Sequence, residues 1–163
     1  MANSARDPRE IRASRLAPRF ARVREARQTE LAEDYVELIE DLTHVHGEAR
    51  AADLAECFGV APATVARAVQ RLSRDGLVVS EPYRAIFLTD QGRRMASAAR
   101  ERHHLVRDFL LALGVGAEAA ETDAEGIEHH VGPETLKAFR TFLSQSQGGP
   151  SSKSRETRPP EKA

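Results

Sequence analysis

The sequence predicts a mainly α fold with a small β wing, in which an N-terminal winged helix-turn-helix precedes a C-terminal all-helical domain. Three observations predict this class. Residues 51–72 have the pattern of two helices joined by a tight turn, two short β-rich runs follow at 77–79 and 85–88, and helical periodicity continues from residue 90 to residue 143. A hairpin that directly follows the second helix of such a unit is interpreted as its wing.

Length and composition bound the class of protein. At 163 residues, with 40% hydrophobic and 30% charged side chains, the chain suits one globular domain or two small ones. Its single cysteine, Cys57, excludes an intrachain disulfide and a cysteine zinc site, and it fits a reducing cytoplasm. We expect Cys57 to be a small packing residue. No apolar run reaches the roughly 18 residues of a membrane-spanning helix, and the N-terminus lacks the apolar region of a secretory signal.

The net charge of −1 conceals an uneven distribution of charge along the chain. Residues 1–29 are rich in arginine, whereas the segment from Glu30 to Asp41 carries six acids and no base. The overall balance therefore does not argue against a nucleic-acid partner. We expect residues 1–27 to form a flexible Arg-rich arm, with helix only towards residues 20–26. Its arginines either contact phosphates or serve only to keep the chain soluble.

The first helix is predicted over residues 29–45 from an apolar stripe with helical spacing. A second stripe on the same helix consists of three acids, Asp34, Glu37 and Asp41. Such a row is usually a solvated face, but like charges three or four residues apart cost stability unless a cation compensates them. The apolar stripe comprises Leu31, Tyr35, Leu38, Leu42 and Val45.

Residues 51–72 predict a DNA-binding helix-turn-helix, with a simple αα-hairpin as the alternative. Gly59 allows the positive φ of the turn, and Pro62 suits the first turn of the second helix. If that helix enters a major groove, Arg67 is the candidate for bidentate contact with guanine, and Arg71 is the candidate for phosphate. The residues expected to face base edges at its start are Pro62, Ala63 and Thr64.

The β-rich runs predict a hairpin whose tip carries Arg84. This residue either reaches the DNA backbone or minor groove, or is an ordinary surface arginine. Beyond the hairpin the sequence predicts only helices, and a helical cluster of this size has too little core of its own. We therefore expect it to bury its apolar faces in a homodimer. The predicted helices cover residues 90–113, 117–130 and 133–143.

Residues 125–130 concentrate two carboxylates and imidazole in one short stretch. On a helix, Glu125, Glu128 and His129 are spaced i, i+3 and i+4, so they project from one face. Oxygen-rich sites with one or two imidazoles suit hard-to-borderline divalent ions such as Mn²⁺ better than Zn²⁺ or Cu⁺. The alternative is an ordinary solvated face. Periodicity alone does not show whether these residues meet the acids of the first helix.

The chain resembles the manganese-responsive, MntR-type branch of the diphtheria toxin repressor (DtxR) family over about residues 27–143. No single motif is specific, but together they are. The motifs are Glu33-Asp34-Tyr35-Val36-Glu37, Pro62-Ala63-Thr64-Val65, Tyr83-Arg84, Arg102-His103-His104-Leu105 leading to Phe109-Leu110, and Asp123-Ala124-Glu125-Gly126-Ile127-Glu128-His129-His130.

This resemblance implies a metal-dependent repressor, not an enzyme, that acts in the bacterial cytoplasm. It implies a homodimer that binds a near-palindromic double-stranded DNA operator and represses manganese uptake genes when it holds Mn²⁺, two ions per subunit. The iron-responsive branch has sulfur-bearing residues at positions 34 and 125, so Asp34 and Glu125 favour manganese. The ligands that the resemblance implies are Asp34, Glu37, His103, Glu125, Glu128 and His129.

The resemblance also divides the chain into four segments. They are the arm at 1–27, a DNA-binding domain at 28–90, a metal-binding and dimerisation domain at 91–143, and a tail at 144–163 that composition predicts to be disordered.

Three other functions are weighed against this one. A di-iron carboxylate oxidase needs Glu-x-x-His on each of two helices, and the sequence has no such pair. A winged-helix repressor of another family would respond to a small organic effector or to no ligand. An iron-responsive repressor of the same family is disfavoured by the oxygen donors at Asp34 and Glu125.

Overall fold

The computed structural model describes residues 8–80 and 84–147, which form a winged helix-turn-helix followed by a helical half. The elements in chain order are α1 (Pro8–His46), α2 (Ala51–Phe58), α3 (Pro62–Arg74), β1 (Val78–Ser80), β2 (Ile86–Leu88), α4 (Asp90–Ala112), α5 (Ala117–Ile127), a 3₁₀ turn (Glu128–His130) and α6 (Pro133–Gln147). The predicted fold class is confirmed.

Helix α1 begins much earlier than the sequence predicted. The expectation was a flexible arm before residue 28, yet the backbone is helical from Pro8 onwards, with Pro18 inside the helix. Ala, Arg, Leu and Glu dominate this stretch and favour a helix. Residues 1–7 of the predicted arm lie outside the described part of the chain.

The helix-turn-helix packs on the middle of α1. The turn is made at Gly59, whose φ of 62° is the left-handed conformation that the sequence predicted. Pro62 is the first residue of α3, where a backbone N–H has no partner within the helix, so proline loses no hydrogen bond there. The buried core here is drawn from α1, the two helices and the wing, and its largest fully buried members are Val36, Ile39, Leu54, Val65 and Ile86.

The wing is a two-stranded antiparallel sheet in which Val78 pairs with Leu88 and Ser80 with Ile86. The Ile86 N–H also donates to the Ala49 carbonyl at 2.8 Å, which ties the wing to the segment before α2. Residues 81–83 of the predicted hairpin loop, including Tyr83, lie outside the described residues.

The connection between the wing and α4 is tight. The Thr89 hydroxyl donates to the Gly76 carbonyl at 2.6 Å and accepts from the Gly92 N–H at 3.1 Å, so Thr89 caps α4. A Cβ on Gly92 would lie 2.1 Å from the Leu77 carbonyl oxygen, so only glycine allows this approach. Helix α4 is therefore fixed to the DNA-binding half at its first turn.

The helical half has a smaller core of its own. Val106, Ala124 and Leu136 bring α4, α5 and α6 together. Phe109 stacks on Phe139 with ring centroids 3.9 Å apart. Several large apolar side chains of this half remain exposed, namely Leu111, Leu113, Ile127 and Phe142. Helix α6 runs beyond the predicted end at residue 143, and residues 148–163 lie outside the described part of the chain. Among the described helices, none is long and apolar enough to cross a membrane.

Candidate metal centre and nucleic-acid surface

A cavity of about 500 Å³ lies between α1, the end of α2 and the helical half. Five of the six predicted ligands line it, and the sixth, His129, lies within 3.6 Å of two of them, Asp34 and Glu128. Residues from three distant parts of the sequence therefore come together at one place. The five lining residues are Asp34, Glu37, His103, Glu125 and Glu128.

Helix α1 directs its two acids into the cavity because its other face is occupied. Tyr35, Val36 and Ile39 are buried in the DNA-binding half. At 3.6 residues per turn, this leaves Asp34 and Glu37 on the side that faces the helical half. The same helix thus carries the core of one half and the acids that face the other.

The segment with Glu125, Glu128 and His129 is not one α-helix as predicted. Helix α5 ends at Ile127, and Glu128–His130 form a 3₁₀ turn before α6 begins at Pro133. Such tightening commonly satisfies the last carbonyls of a helix. Glu128, in this turn, is 2% exposed, whereas the Glu125 side chain is 74% exposed.

The two imidazoles lie between the carboxylates. His103 Nδ1 is 3.3 Å from Glu128 Oε2 and 3.5 Å from Glu125 Oε2. His129 Nε2 is 3.3 Å from Asp34 Oδ1 and 3.6 Å from Glu128 Oε1. Glu128 therefore lies between the imidazoles, yet its buried Oε2 has no hydrogen-bond partner in the structure.

The cavity is electrostatically unfavourable for so many carboxylates. Burial, together with the charges of Glu128 and Glu125, raises the pKa of Glu37 to about 7. Burial also raises the pKa of Asp34 and that of Glu128, although His129 opposes both shifts. Acids with raised pKa values, crowded beside each other, are the arrangement that a cation would relieve.

The pKa of His129 is also raised, which for an imidazole favours the charged form. Burial alone lowers its pKa, but the hydrogen bond to Glu33 and the charges of Asp34 and Glu128 outweigh burial, so its pKa lies above the ordinary value. The site therefore favours a positive charge at this position.

These donors fit a divalent cation. The predicted ligands supply mostly oxygen atoms and two imidazoles, which suits such an ion. The buried Glu128 Oε2 makes no hydrogen bond, and a bound ion would explain this. Within residues 8–80 and 84–147, no three His, Cys, Asp or Glu side chains are already arranged to hold an ion. The imidazoles instead approach the carboxylates that would share the ion with them.

Three contacting residues were not among the predicted ligands. Glu33 is buried and bonds His129 Nδ1 at 3.0 Å, while its other oxygen holds Arg102 at 2.6 Å. Glu121 lies 2.9 Å from His103 Nε2. Both acids lie one or two turns from a predicted ligand on their own helix, which is the sequence signal that could have pointed to them.

Cys57 is not the packing residue that the sequence predicted. It is exposed near the end of α2 and lines the same cavity. Leu54 and Ala55 fill the buried face of this short helix, which leaves Cys57 on the outer side.

The predicted DNA-contacting residues of α3 all lie on its exposed face. Val65, Val69 and Leu72 anchor the opposite face in the core. Arg84, at the edge of the wing, is also exposed. Basic and polar side chains are thus exposed on both α3 and the wing. The exposed residues of α3 are Pro62, Ala63, Thr64, Arg67 and Arg71.

A winged helix-turn-helix, joined to a helical half through a cavity of carboxylates and imidazoles, defines a metal-dependent DNA-binding regulator. Two family models agree with this class. "Iron dependent repressor, N-terminal DNA binding domain" matches residues 28–86, and "Iron dependent repressor, metal binding and dimerisation domain" matches residues 89–155. The chain belongs to the iron-dependent repressor (DtxR) family, in its MntR-type branch.

Curated relatives carry the MntR name. The "Transcriptional regulator MntR" of Escherichia coli O157:H7 is 53% identical over 126 residues, which cover 77% of this chain and 81% of that protein. The MntR regulator of Lysinibacillus sphaericus is 41% identical over 118 residues, which cover 72% of this chain and 85% of that protein. The protein is therefore a DNA-binding transcriptional repressor that depends on a divalent metal and forms a homodimer, and it is not an enzyme.

Solved structures have the same fold. A manganese-dependent transcriptional repressor in complex with manganese matches with a TM-score of 0.62 and 31% identity over 69% of this chain and 52% of its own. The manganese regulator SloR matches with a TM-score of 0.60 and 27% identity over 69% of this chain and 53% of its own. The chain spans about half the length of these two solved relatives.

Proposed function

We propose that the protein senses Mn²⁺ with two ions per subunit, held by Asp34, Glu37, His103, Glu125, Glu128 and His129, and that the loaded dimer represses manganese uptake genes in the bacterial cytoplasm. The observation that carries the proposal is Glu128. It is 2% exposed, lines the cavity between His103 and His129, and keeps one buried oxygen without a hydrogen bond. The oxygen donors at positions 34 and 125, together with relatives named for manganese, support manganese over iron.

The residues act as a link between the two halves of the subunit. Asp34 and Glu37 belong to α1 and thus to the DNA-binding half, whereas Glu125 and Glu128 belong to the helical half. Without compensation, these four carboxylates repel each other across the cavity. When bound, two Mn²⁺ ions supply four positive charges that offset them.

The link controls the distance between recognition helices. Because Thr89 and Gly92 fix α4 to the segment between α3 and the wing, holding α1 against the helical half also fixes α3 relative to the dimer. A two-fold dimer must present its two recognition helices one DNA turn apart to meet a near-palindromic operator. Coupling of about 1–3 kcal/mol would change operator affinity roughly 5–150-fold.

On α3, we propose that Arg67 reads a base and that Arg71 contacts phosphate. The exposed start of the helix, Pro62, Ala63 and Thr64, would face base edges, and Arg84 of the wing would contact the backbone or minor groove.

One titration tests the proposal. Operator binding is followed by fluorescence anisotropy while Mn²⁺ is added, and electron paramagnetic resonance counts bound ions in the same samples. We expect two ions per subunit and a rise in affinity that Asp34→Ala abolishes while size-exclusion chromatography still shows a dimer. Parallel titrations with Fe²⁺, Zn²⁺ and chelator serve as controls. Operator binding that ignores Mn²⁺, or that responds equally in Asp34→Ala, would contradict the proposal.

A further inference from the structure

Each of the two imidazoles in the predicted ligand set has one nitrogen near another predicted ligand and the other nitrogen on a carboxylate outside that set. His129 directs Nε2 towards Asp34 at 3.3 Å and Nδ1 towards Glu33 at 3.0 Å. His103 directs Nδ1 towards Glu128 and Nε2 towards Glu121 at 2.9 Å.

Glu33 is the better fixed of the two outer carboxylates. Its side chain is 12% exposed, and its Oε1 is held by Arg102 at 2.6 Å, so only Oε2 remains for His129. Glu121 has a side chain 59% exposed, and solvent competes for its hydrogen bonds. Residues of α1, α4 and the 3₁₀ turn thus meet at Glu33.

The chemistry of this contact determines which nitrogen carries the proton. Both nitrogens face carboxylates, but His129 makes its hydrogen bond at Nδ1, to Glu33 at 3.0 Å, whereas Nε2 only approaches Asp34 at 3.3 Å. An ionised carboxylate only accepts hydrogen bonds, so this geometry places the hydrogen of a neutral His129 on Nδ1. The lone pair of the imidazole is then on Nε2, which faces the cavity. A metal-binding imidazole needs its lone pair on the side of the ion.

We propose that Glu33, anchored by Arg102, is a positioning residue that sets the tautomer and orientation of His129 for metal binding. The inference rests on the proposed metal site, but it concerns a residue outside that ligand set. An ordinary ion pair between α1 and α4 would stabilise the subunit without affecting the imidazole. Glu40 and Arg100 form such a pair at 2.9 Å between the same two helices, which supplies a matched control.

The decisive variant is Glu33→Gln. Arg102 only donates hydrogen bonds, so it retains the amide oxygen and leaves the amide nitrogen facing His129. Nδ1 must then accept, and the hydrogen moves to Nε2, where it blocks the lone pair. We expect the tautomer to invert and the affinity for Mn²⁺ to fall about 10–100-fold, the usual effect of losing such a partner. Glu40→Gln should leave the tautomer unchanged and should change the affinity less than Glu33→Gln does, because Arg100 keeps its pair with Asp41 at the edge of the cavity.

The tautomer is measured without metal. Long-range ¹⁵N–¹H NMR of the full-length protein in chelator is recorded at increasing pH until the ¹⁵N shifts of His129 show a neutral imidazole, and it then assigns the hydrogen to one nitrogen. We expect Nδ1–H in the wild type and in Glu40→Gln, and Nε2–H in Glu33→Gln. Nε2–H in the wild type would overturn the inference, even if Glu33→Gln did not fold.

The affinity measurement separates this inference from the proposed function. If the wild type binds no Mn²⁺, the proposed metal site itself is contradicted. A wild type that binds Mn²⁺, together with a Glu33→Gln variant that is folded and binds as tightly as Glu40→Gln, would overturn only the role of Glu33.

Discussion

Replacing Glu128 by Gln is expected to change the stability of the metal-free and the manganese-loaded protein in opposite directions. Gln keeps the size of the side chain but removes one of four negative charges from the cavity. Burial disfavours the ionised form of Glu128 in spite of its two neighbouring imidazoles, which the raised pKa of the carboxyl reflects. A buried neutral group that lacks hydrogen bonds costs about 1–3 kcal/mol and a charged one costs more, so exchanging the carboxylate for the neutral amide lowers this cost. In chelator, Glu128→Gln should therefore be more stable by about 1 kcal/mol, or about 2–4 °C in melting temperature.

In the presence of manganese, Glu128→Gln should be less stable than the wild type. At a manganese concentration of about 100 times the wild-type Kd, bound metal stabilises the fold by about 2.7 kcal/mol. If losing the central ligand weakens binding about 100-fold, only about 0.4 kcal/mol of this stabilisation is left at the same concentration.

Thermal unfolding at fixed protein concentration measures both changes. Glu134→Gln, the same chemical change at an exposed acid in the first turn of α6, is the control and should stay within about 0.5 kcal/mol of wild type in both conditions. The reasoning is refuted if Glu128→Gln melts earlier than wild type in chelator while it keeps the full manganese response.

Three other outcomes are expected. Arg67→Ala should lose about 1–3 kcal/mol of binding to operator DNA but little to random DNA, whereas Arg71→Ala should weaken both alike, and competition assays with the two DNAs distinguish the cases. The melting temperature in chelator should fall as the pH rises from about 5 to 8, because folding raises the pKa of Glu37 to about 7 and that of His129, so the folded state binds more protons than the unfolded state in that range. Over the same range, the gain in melting temperature from manganese should grow, since ligands must lose their protons to bind; a gain independent of pH would count against this. Cys57→Ser should change the stability by less than about 0.5 kcal/mol, because the thiol is exposed, and a larger loss in urea unfolding would restore the expected packing role.

The elements of the fold were largely predictable because their signals are local. The turn at Gly59 and the start of α3 at Pro62 each follow from the conformation of a single residue. The start of α1 is not predicted correctly, because an arginine-rich composition is compatible with a flexible arm and also favours a helix.

The meeting of α1 with the helical half could not be derived from periodicity, because a helical pattern gives the face of a residue but not its tertiary partner. The resemblance to a family supplied that information, and Asp34 does lie near His129 in the structure. The 3₁₀ turn was missed because the sequence spacing of Glu128 and His129 suits an α-helix equally well.

Glu33 was missed for a related reason. It belongs to the motif that carried the resemblance, but its partners Arg102 and His129 come from other elements, so only the tertiary structure shows that it bonds both. Its role at the site, like the ligand set and the domain boundaries, stays a prediction for the experiments above.

Helix α1 limits the kinds of mutation by which this protein could evolve a new metal preference. Asp34 faces the cavity and its neighbour Tyr35 is buried among the core residues of the other half. Inserting one residue between them would rotate the upstream helix by about 100° and carry Asp34 away from its partners. Insertions and deletions in this segment would therefore disrupt the site, so a new metal preference would have to arise by side-chain substitutions at the existing positions.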